Sequence, residues 1–202
     1  MSKTNFIKIK GTWNEVLNDC RFTVNKPDID KEPSDEFKKK ILIAEHSPIR
    51  DLIFKWEWLA VPHYSLMHYA RHKWEKYIGT QRPDKTGKSR GSQEDPQNMR
   101  GEANTQHIID SWRKRLCYRS SNTTRLLAED FKNELHTKDP FVADVLVPNC
   151  IYRGGCPEYK HDDPNKCKFY EKFLEEAYKN SVDVTNIQAR YDFYNESIFK
   201  YK

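Results

Sequence analysis

Residues 52–82 read LIFKWEWLAVPHYSLMHYARHKWEKYIGTQR, and this stretch decides the fold. Its first ten residues alternate. Phe54, Trp56 and Trp58 share one face and Lys55 and Glu57 the other, which is the two-residue period of a strand with one buried side. Pro62 stands where a helix can begin, because a missing N–H costs nothing in the first helical turn. Leu66, Ala70, Trp74 and Ile78 then recur every four residues. That spacing predicts an amphipathic helix over 62–78, with His68, Arg71, His72 and Glu75 on its other stripe.

Working outward, Phe6–Lys10 before Gly11 reads as a first strand, residues 25–35 as a Pro- and Asp-rich loop, and Phe37–Ile43 as a helix. Residues 83–101 are polar, with several Gly and Pro, and predict a long mobile surface loop. Ile108, Trp112 and Leu116 mark a helix, Leu127, Phe131 and Leu135 a second, and 141–147 a third, stopped by Pro148. A Cys-containing turn spans 148–167, and Phe169, Phe173, Leu174 and Ala177 mark another helix. The last twenty residues show no period. Strands early and helices late predict an α/β (α+β) chain, one domain over 1–202 with a small mixed or antiparallel sheet flanked by helices.

Mean hydropathy is low, at -0.96, but eleven Tyr, ten Phe and five Trp supply the bulky apolar surface that disordered chains lack. A net charge of +5, with both signs interspersed, predicts neither a membrane partner nor a nucleic-acid partner. No stretch approaches the roughly 18 apolar residues that cross a bilayer, and MSKTNFIKIK lacks the apolar centre of a signal peptide. The expectation is a cytoplasmic protein whose five cysteines are reduced thiols.

Three groups of residues could carry chemistry. His68-x-x-Arg71-His72-Lys73, followed by Thr80-Gln81-Arg82, gathers cations, imidazoles and a hydroxyl suited to a phosphorylated ligand, because Arg forks onto phosphate oxygens. The plainer alternative is a solvated basic helix face. In Ser111–Cys117, Trp112 and Leu116 face the core and Arg115 lies beside them at a cleft wall, while Arg113 and Lys114 point elsewhere. Cys150-x5-Cys156-x10-Cys167, with His161 inside, offers zinc-type ligands without a tight C-x2-C pair, so packed or merely reduced cysteines are expected and no metal. His68 and His72 have no H-E-x-x-H glutamate between them, and the glycine-rich phosphate loops G-x-G-x-x-G and G-x-x-x-x-G-K-[ST] are absent.

Taken in order, Glu45-His46-Ser47-Pro48-Ile49, an aromatic strand, Tyr69-Ala70-Arg71-His72-Lys73, Thr80-x-Arg82 and a later-helix Arg115 resemble the flavin-dependent thymidylate synthase family. The resemblance covers about Glu45 to Arg125. It implies that family's fold, with Arg71, His72 and Lys73 matching the flavin-contacting Arg-His-Arg. It also implies pyrimidine-nucleotide binding by His68, Thr80, Gln81 and Arg82. Arg115 matches the arginine that recognises and polarises the pyrimidine, a catalytic role. Ser121–Arg125 falls where the family has an Ala-Gln-x-Glu-Ile-Arg-like run.

The implied reaction is methylation of dUMP at C5 to dTMP. Methylenetetrahydrofolate would give the carbon, FAD the hydride and NADPH the reducing power, in a homotetramer with shared sites. The chain departs from the family in its shorter spacing to Thr80, in having Ile78 and Gly79 where an acidic residue precedes the Ser, and in Arg50 and Asp51 where Glu and His stand. Those departures keep open methylation or hydroxymethylation of another pyrimidine nucleotide, or nucleotide binding without catalysis. The basic run Arg113–Arg115 keeps open a nucleic-acid-binding accessory role. Cys117 is expected to pack rather than act as a nucleophile.

Overall fold

A computed structural model describes residues 3–89, 91–158 and 167–201. The chain forms two compact units, Met1–Ile41 with Glu45–Ile108, and Leu42–Ala44 with Ile109–Lys202.

In the first unit β1 (Thr4–Lys10) leads to α1 (Trp13–Phe22), α2 (Asp35–Ile43) and a 3-10 turn at Ser47–Asp51. Thr12 caps α1 by accepting the Glu15 N–H at 3.2 Å. Asn14 and Asn18 organise the loop after it, both donating to the Ile29 carbonyl at 3.0 Å. β2 (Ile53–Pro62), α3 (His63–Ala70), β3 (Glu75–Ile78), α4 (Pro83–Thr86) and β4 (Pro96–Asn104) follow. The strands make one antiparallel sheet ordered β1-β2-β4-β3. The alternation in β2 is as expected: Phe54, Trp56 and Trp58 are fully buried. Trp58 reaches Tyr69 with ring centroids 4.6 Å apart and donates its indole N–H to Thr4 Oγ1 at 2.8 Å.

Two expectations are corrected here. The helix over 62–78 ends at Ala70, and Glu75–Ile78 is a strand pairing with Asn98's neighbours Met99–Glu102 on β4. A spacing of four satisfies a two-residue period as well as a 3.6-residue one, so Trp74 and Ile78 fit a strand face equally well, and the sheet decides between them. The loop over 83–101 is also shorter than expected, because Pro96–Asn104 is a central strand. Its inward positions are Met99, Gly101 and Ala103, two of them too small to mark an apolar stripe. Gly101 is small for a reason: a β-carbon there would lie 2.5 Å from the Trp56 ring.

The second unit takes the later part of α5 (Thr105–Arg115), then α6 (Asn122–His136), α7 (Pro140–Asp144), α8 (Asn149–Arg153), α9 (Phe169–Lys179) and α10 (Ile187–Phe193). The third expected helix is therefore shorter than 141–147, and Val145–Val147 continue as buried irregular chain. Trp112 packs on Phe131 at 4.0 Å and donates to the Ala128 carbonyl at 3.2 Å. The unplaced last residues form α10 and a π-helical turn at Tyr194–Phe199.

That tail surrounds Lys132, which is fully buried on α6. Lys132 Nζ donates to the Leu146 carbonyl at 2.8 Å and to Asn195 Oδ1, with the rings of Tyr194, Phe199 and Tyr201 4.8, 4.4 and 5.3 Å away. Burial pulls its ammonium down from the ordinary 10.5 to about 7, against the opposing pull of Asp144 and Glu129.

Gly101→Ala is expected to cost about 1–3 kcal/mol in urea unfolding, because the Trp56 ring must shift within a packed sheet face; an unchanged midpoint would refute the close approach. Between about pH 7 and 10.5 the unfolded chain holds a proton that folded Lys132 has released, so raising pH through that window stabilises the fold. Below pH 7 both states are protonated and the cost of burying the charge stands in full. The rise in urea midpoint from pH 7 to 9 should therefore shrink in Lys132→Met.

Candidate functional site

Arg71 ends α3, its N–H bonding the Tyr69 carbonyl, and the next three residues turn tightly into β3. His72 N–H also reaches Tyr69 O at 3.1 Å, and Trp74 N–H reaches His72 O at 3.1 Å. Lys76 fixes this turn from inside the strand. Its Nζ donates to the carbonyls of His72 at 2.6 Å and Trp74 at 2.7 Å, 4.9 Å from the Trp74 ring. Partial burial lowers the Lys76 ammonium, with Glu75 opposing. Trp74 packs on Trp56 at 5.0 Å, so the turn is tied to the buried sheet face. The outcome is a rigid corner on which Arg71 and Lys73 are exposed and His68 and His72 half-buried. His68 lies edge-on to Tyr64 at 6.3 Å, and His72 is tilted against Tyr69 at 6.4 Å.

Thr80, Gln81 and Arg82 stand beyond the other end of β3, whose four residues span roughly 13 Å at ordinary strand rise. Gly79 N–H bonds Asn98 O at 2.8 Å, carrying the chain off the sheet. Thr80 Oγ1 accepts the Arg82 N–H at 3.2 Å, and Gln81 Nε2 donates to Ser92 O at 3.0 Å. The Arg82 fork is turned onto Asp84, Nε to Oδ1 at 3.0 Å and Nη2 to Oδ2 at 2.7 Å. Both side chains are more than half exposed, so the pair is weak and easily exchanged for another bidentate anion. At the start of α3, His63 Nδ1 and Ser65 Oγ are buried polar atoms with no protein hydrogen bond among the described residues.

Arg115 closes α5 in the second unit and is half-buried. The expectation that Arg113 points away is corrected. Arg113 is the buried one, its guanidinium 3.5 Å over the Tyr152 ring and Nη2 3.5 Å from Tyr191 Oη. It lies four residues from Ile109 and on the same stripe as Trp112 and Leu116, a signal the sequence carries. Ser121 caps α6 through the Thr124 N–H, and Arg125 pairs with Glu129 while covering the Tyr118 ring at 4.7 Å. Asp51, one of the departures from the family motif, is held up to about 6, first by its hydrogen bond to Asp19, then by burial and the charges of Asp19 and Glu15. Its backbone approaches Gly11 so closely that a β-carbon there would sit 2.1 Å from Asp51 O.

No family model matches the chain, and no curated protein is similar to it in sequence. Solved structures are. The UMP/dUMP methylase PolB from Streptomyces cacaoi, bound with 5-Br dUMP, superposes with a TM-score of 0.57 at 10% identity, over 70% of this chain and 93% of that one. The flavin-dependent thymidylate synthase ThyX from Helicobacter pylori, complexed with FAD and dUMP, superposes with a TM-score of 0.61 at 8% identity, over 72% and 99%. The fold is thus the mixed α/β fold of these enzymes, a small antiparallel sheet flanked by helices. No helix among the described residues is long and apolar enough to cross a membrane.

Lys76→Met removes the ammonium that bridges the carbonyls of His72 and Trp74, leaving His72 O with only the Trp74 N–H. It should cost about 1.5–3 kcal/mol, the range for hydrogen bonds to a charged group, and speed amide exchange across residues 72–76. Exchange as slow as in the parent would show that Lys76 does not hold the turn.

Proposed function

We propose that the chain is a flavin-dependent transferase that places a one-carbon unit on C5 of dUMP, drawing it from methylenetetrahydrofolate to give dTMP. It would act in the cytoplasm with NADPH as reductant. The observation that carries this reading is the rigid corner at Arg71–Lys73, set in a fold shared with a UMP/dUMP methylase and a flavin-dependent thymidylate synthase. Exposed Arg71 and Lys73 are a donor set suited to the diphosphate of FAD, and a turn already fixed by Lys76 loses little freedom when it binds. Bound flavin would supply the hydride and the folate the carbon; the chain's own residues bind and orient.

In this reading Thr80, Gln81 and Arg82 take the nucleotide phosphate, Arg82 exchanging Asp84 for phosphate oxygens of the same forked geometry. His68 faces the pyrimidine. Arg115 opposes negative charge on the pyrimidine carbonyl oxygen, a contribution of a few kcal/mol when the donor is held in place (about 3–4 for one oxyanion donor). The cofactor corner and the phosphate segment lie at opposite ends of β3, which suits a homotetramer in which copies complete one another's sites. The whole chain then acts as one catalytic domain, with no need of a nucleic-acid or membrane partner. A second reading, methylation of UMP or another pyrimidine nucleotide, is favoured by the likeness to a UMP/dUMP methylase and by Asp51 in the altered motif.

Absorption spectra taken after adding FAD, then dUMP or UMP, and desalting test the proposal. A retained flavin band that shifts with one nucleotide is expected, and product formation from that nucleotide under reducing, folate-supplied conditions should follow. Arg71→Ala should lose flavin, and Arg115→Ala should keep flavin while losing nucleotide by roughly tenfold or more, the scale of one charge-assisted bond. Parent and variants that all stay colourless would refute it.

A further inference from the structure

Four of the five cysteines lie in the second unit, on segments that meet at the start of α9. Cys117 follows α5, and its Sγ accepts the Arg119 N–H at 3.5 Å. Cys150 sits in the first turn of α8, and its carbonyl takes N–H groups from both Gly154 and Gly155, folding the chain back on itself before Cys156. Gly154 makes that reversal in the left-handed region, at φ 70°. Cys167 stands two residues before α9. Two contacts join these segments. The Tyr118 ring stacks on Phe169 at 3.9 Å and 12°, bringing the Cys117 corner against the residue two beyond Cys167. The Tyr170 hydroxyl is 3.8 Å from where a β-carbon of Gly154 would be, bringing the same turn of α9 against the Cys150–Cys156 reversal.

All four are free thiols. Among the described residues no three ligand side chains already stand in a coordinating arrangement, so a cation would have to draw the sulfurs together.

We propose that Cys117, Cys150, Cys156 and Cys167 form a tetrathiolate site for one zinc ion, which ties the end of α5, α8 and the start of α9 together. Four sulfur donors in tetrahedral array are what zinc takes in structural sites, and a closed set leaves no open position for chemistry. Binding converts four thiols to thiolates and releases four protons, so affinity falls as pH falls. None of the four cysteines is a residue proposed for flavin or nucleotide, although Cys117 lies two residues beyond Arg115, and the test reads metal and thiols rather than nucleotide.

The full-length protein, prepared in reducing buffer without chelator, is analysed for metal by plasma mass spectrometry and for thiols with a chromogenic disulfide. One zinc per chain is expected, with Cys20 alone reacting quickly and the other four thiols following once a strong chelator is added. Replacing zinc by cobalt(II) should give the sulfur-to-metal charge-transfer bands of a tetrahedral thiolate site, a reading on the unmutated protein that does not depend on a variant folding. Cys156→Ser should lose the metal and Cys20→Ser keep it. Five equally reactive thiols in excess zinc with no cobalt bands, an iron–sulfur chromophore, or a disulfide among the four in the zinc-supplied protein would each overturn the proposal.

Discussion

The first unit depends on the indole of Trp56 lying across Gly101. β4 places Gly101 between Trp56 on β2 and Lys76 on β3, so one row of the sheet reads large, empty, long. The empty position lets the Trp56 ring lie flat and meet Trp74. Trp74 is the last residue of the turn that carries Arg71, His72 and Lys73, and Lys76 closes that turn from the same row. Core packing and the presentation of the exposed cations are therefore one arrangement. A side chain at 101 would disturb both at once, which distinguishes this glycine from one that only serves a bend.

The sequence makes some of this readable and hides the rest for identifiable reasons. β2 is plain because three aromatic residues alternate with two charges, and α6 because Leu127, Phe131 and Leu135 repeat at helical spacing. β3 hides because Trp74 just before it and Ile78 at its end lie four apart, a distance both periods allow. β4 hides because its buried side consists of Met99, Gly101 and Ala103, where the bulk comes from the neighbouring strand. At the candidate site, the ordered motifs point to Arg71–Lys73 and Thr80–Arg82, but Lys76 is invisible because its partners are backbone carbonyls that no side-chain pattern records. Arg113 could have been found from its distance to Ile109, had the stripe been read through a charged residue.

In the second unit, cations take places usually held by apolar groups. Lys132 sits within three rings, Arg113 lies over Tyr152, and Arg190 donates to the carbonyls of Ile151 at 2.7 Å, Tyr152 at 2.9 Å and Val184 at 2.7 Å. Lys132 and Arg190 thereby satisfy carbonyls at chain ends and in irregular segments that a helix cannot satisfy for itself. This explains why the last residues carry no period: Asn195 and Tyr201 are placed by what they do for Lys132 and Asp144, with Tyr201 donating to Asp144 Oδ1 at 2.7 Å. Hydrophobic spacing records burial, and these residues are specified by polar partners instead.

The order β1-β2-β4-β3 leaves two rims. One is only four residues long. The other bears Lys8 and Lys10 and is broken by an irregularity between Phe6 and Lys8, although Ile7 and Ile9 remain partly exposed beside the lysines. Short length, interruption and interleaved positive charge are the means by which open β-structure avoids being lengthened by a stranger's backbone. These features disfavour addition at either rim, and the lysines that alternate with the exposed isoleucines oppose the stacking that leads to fibres.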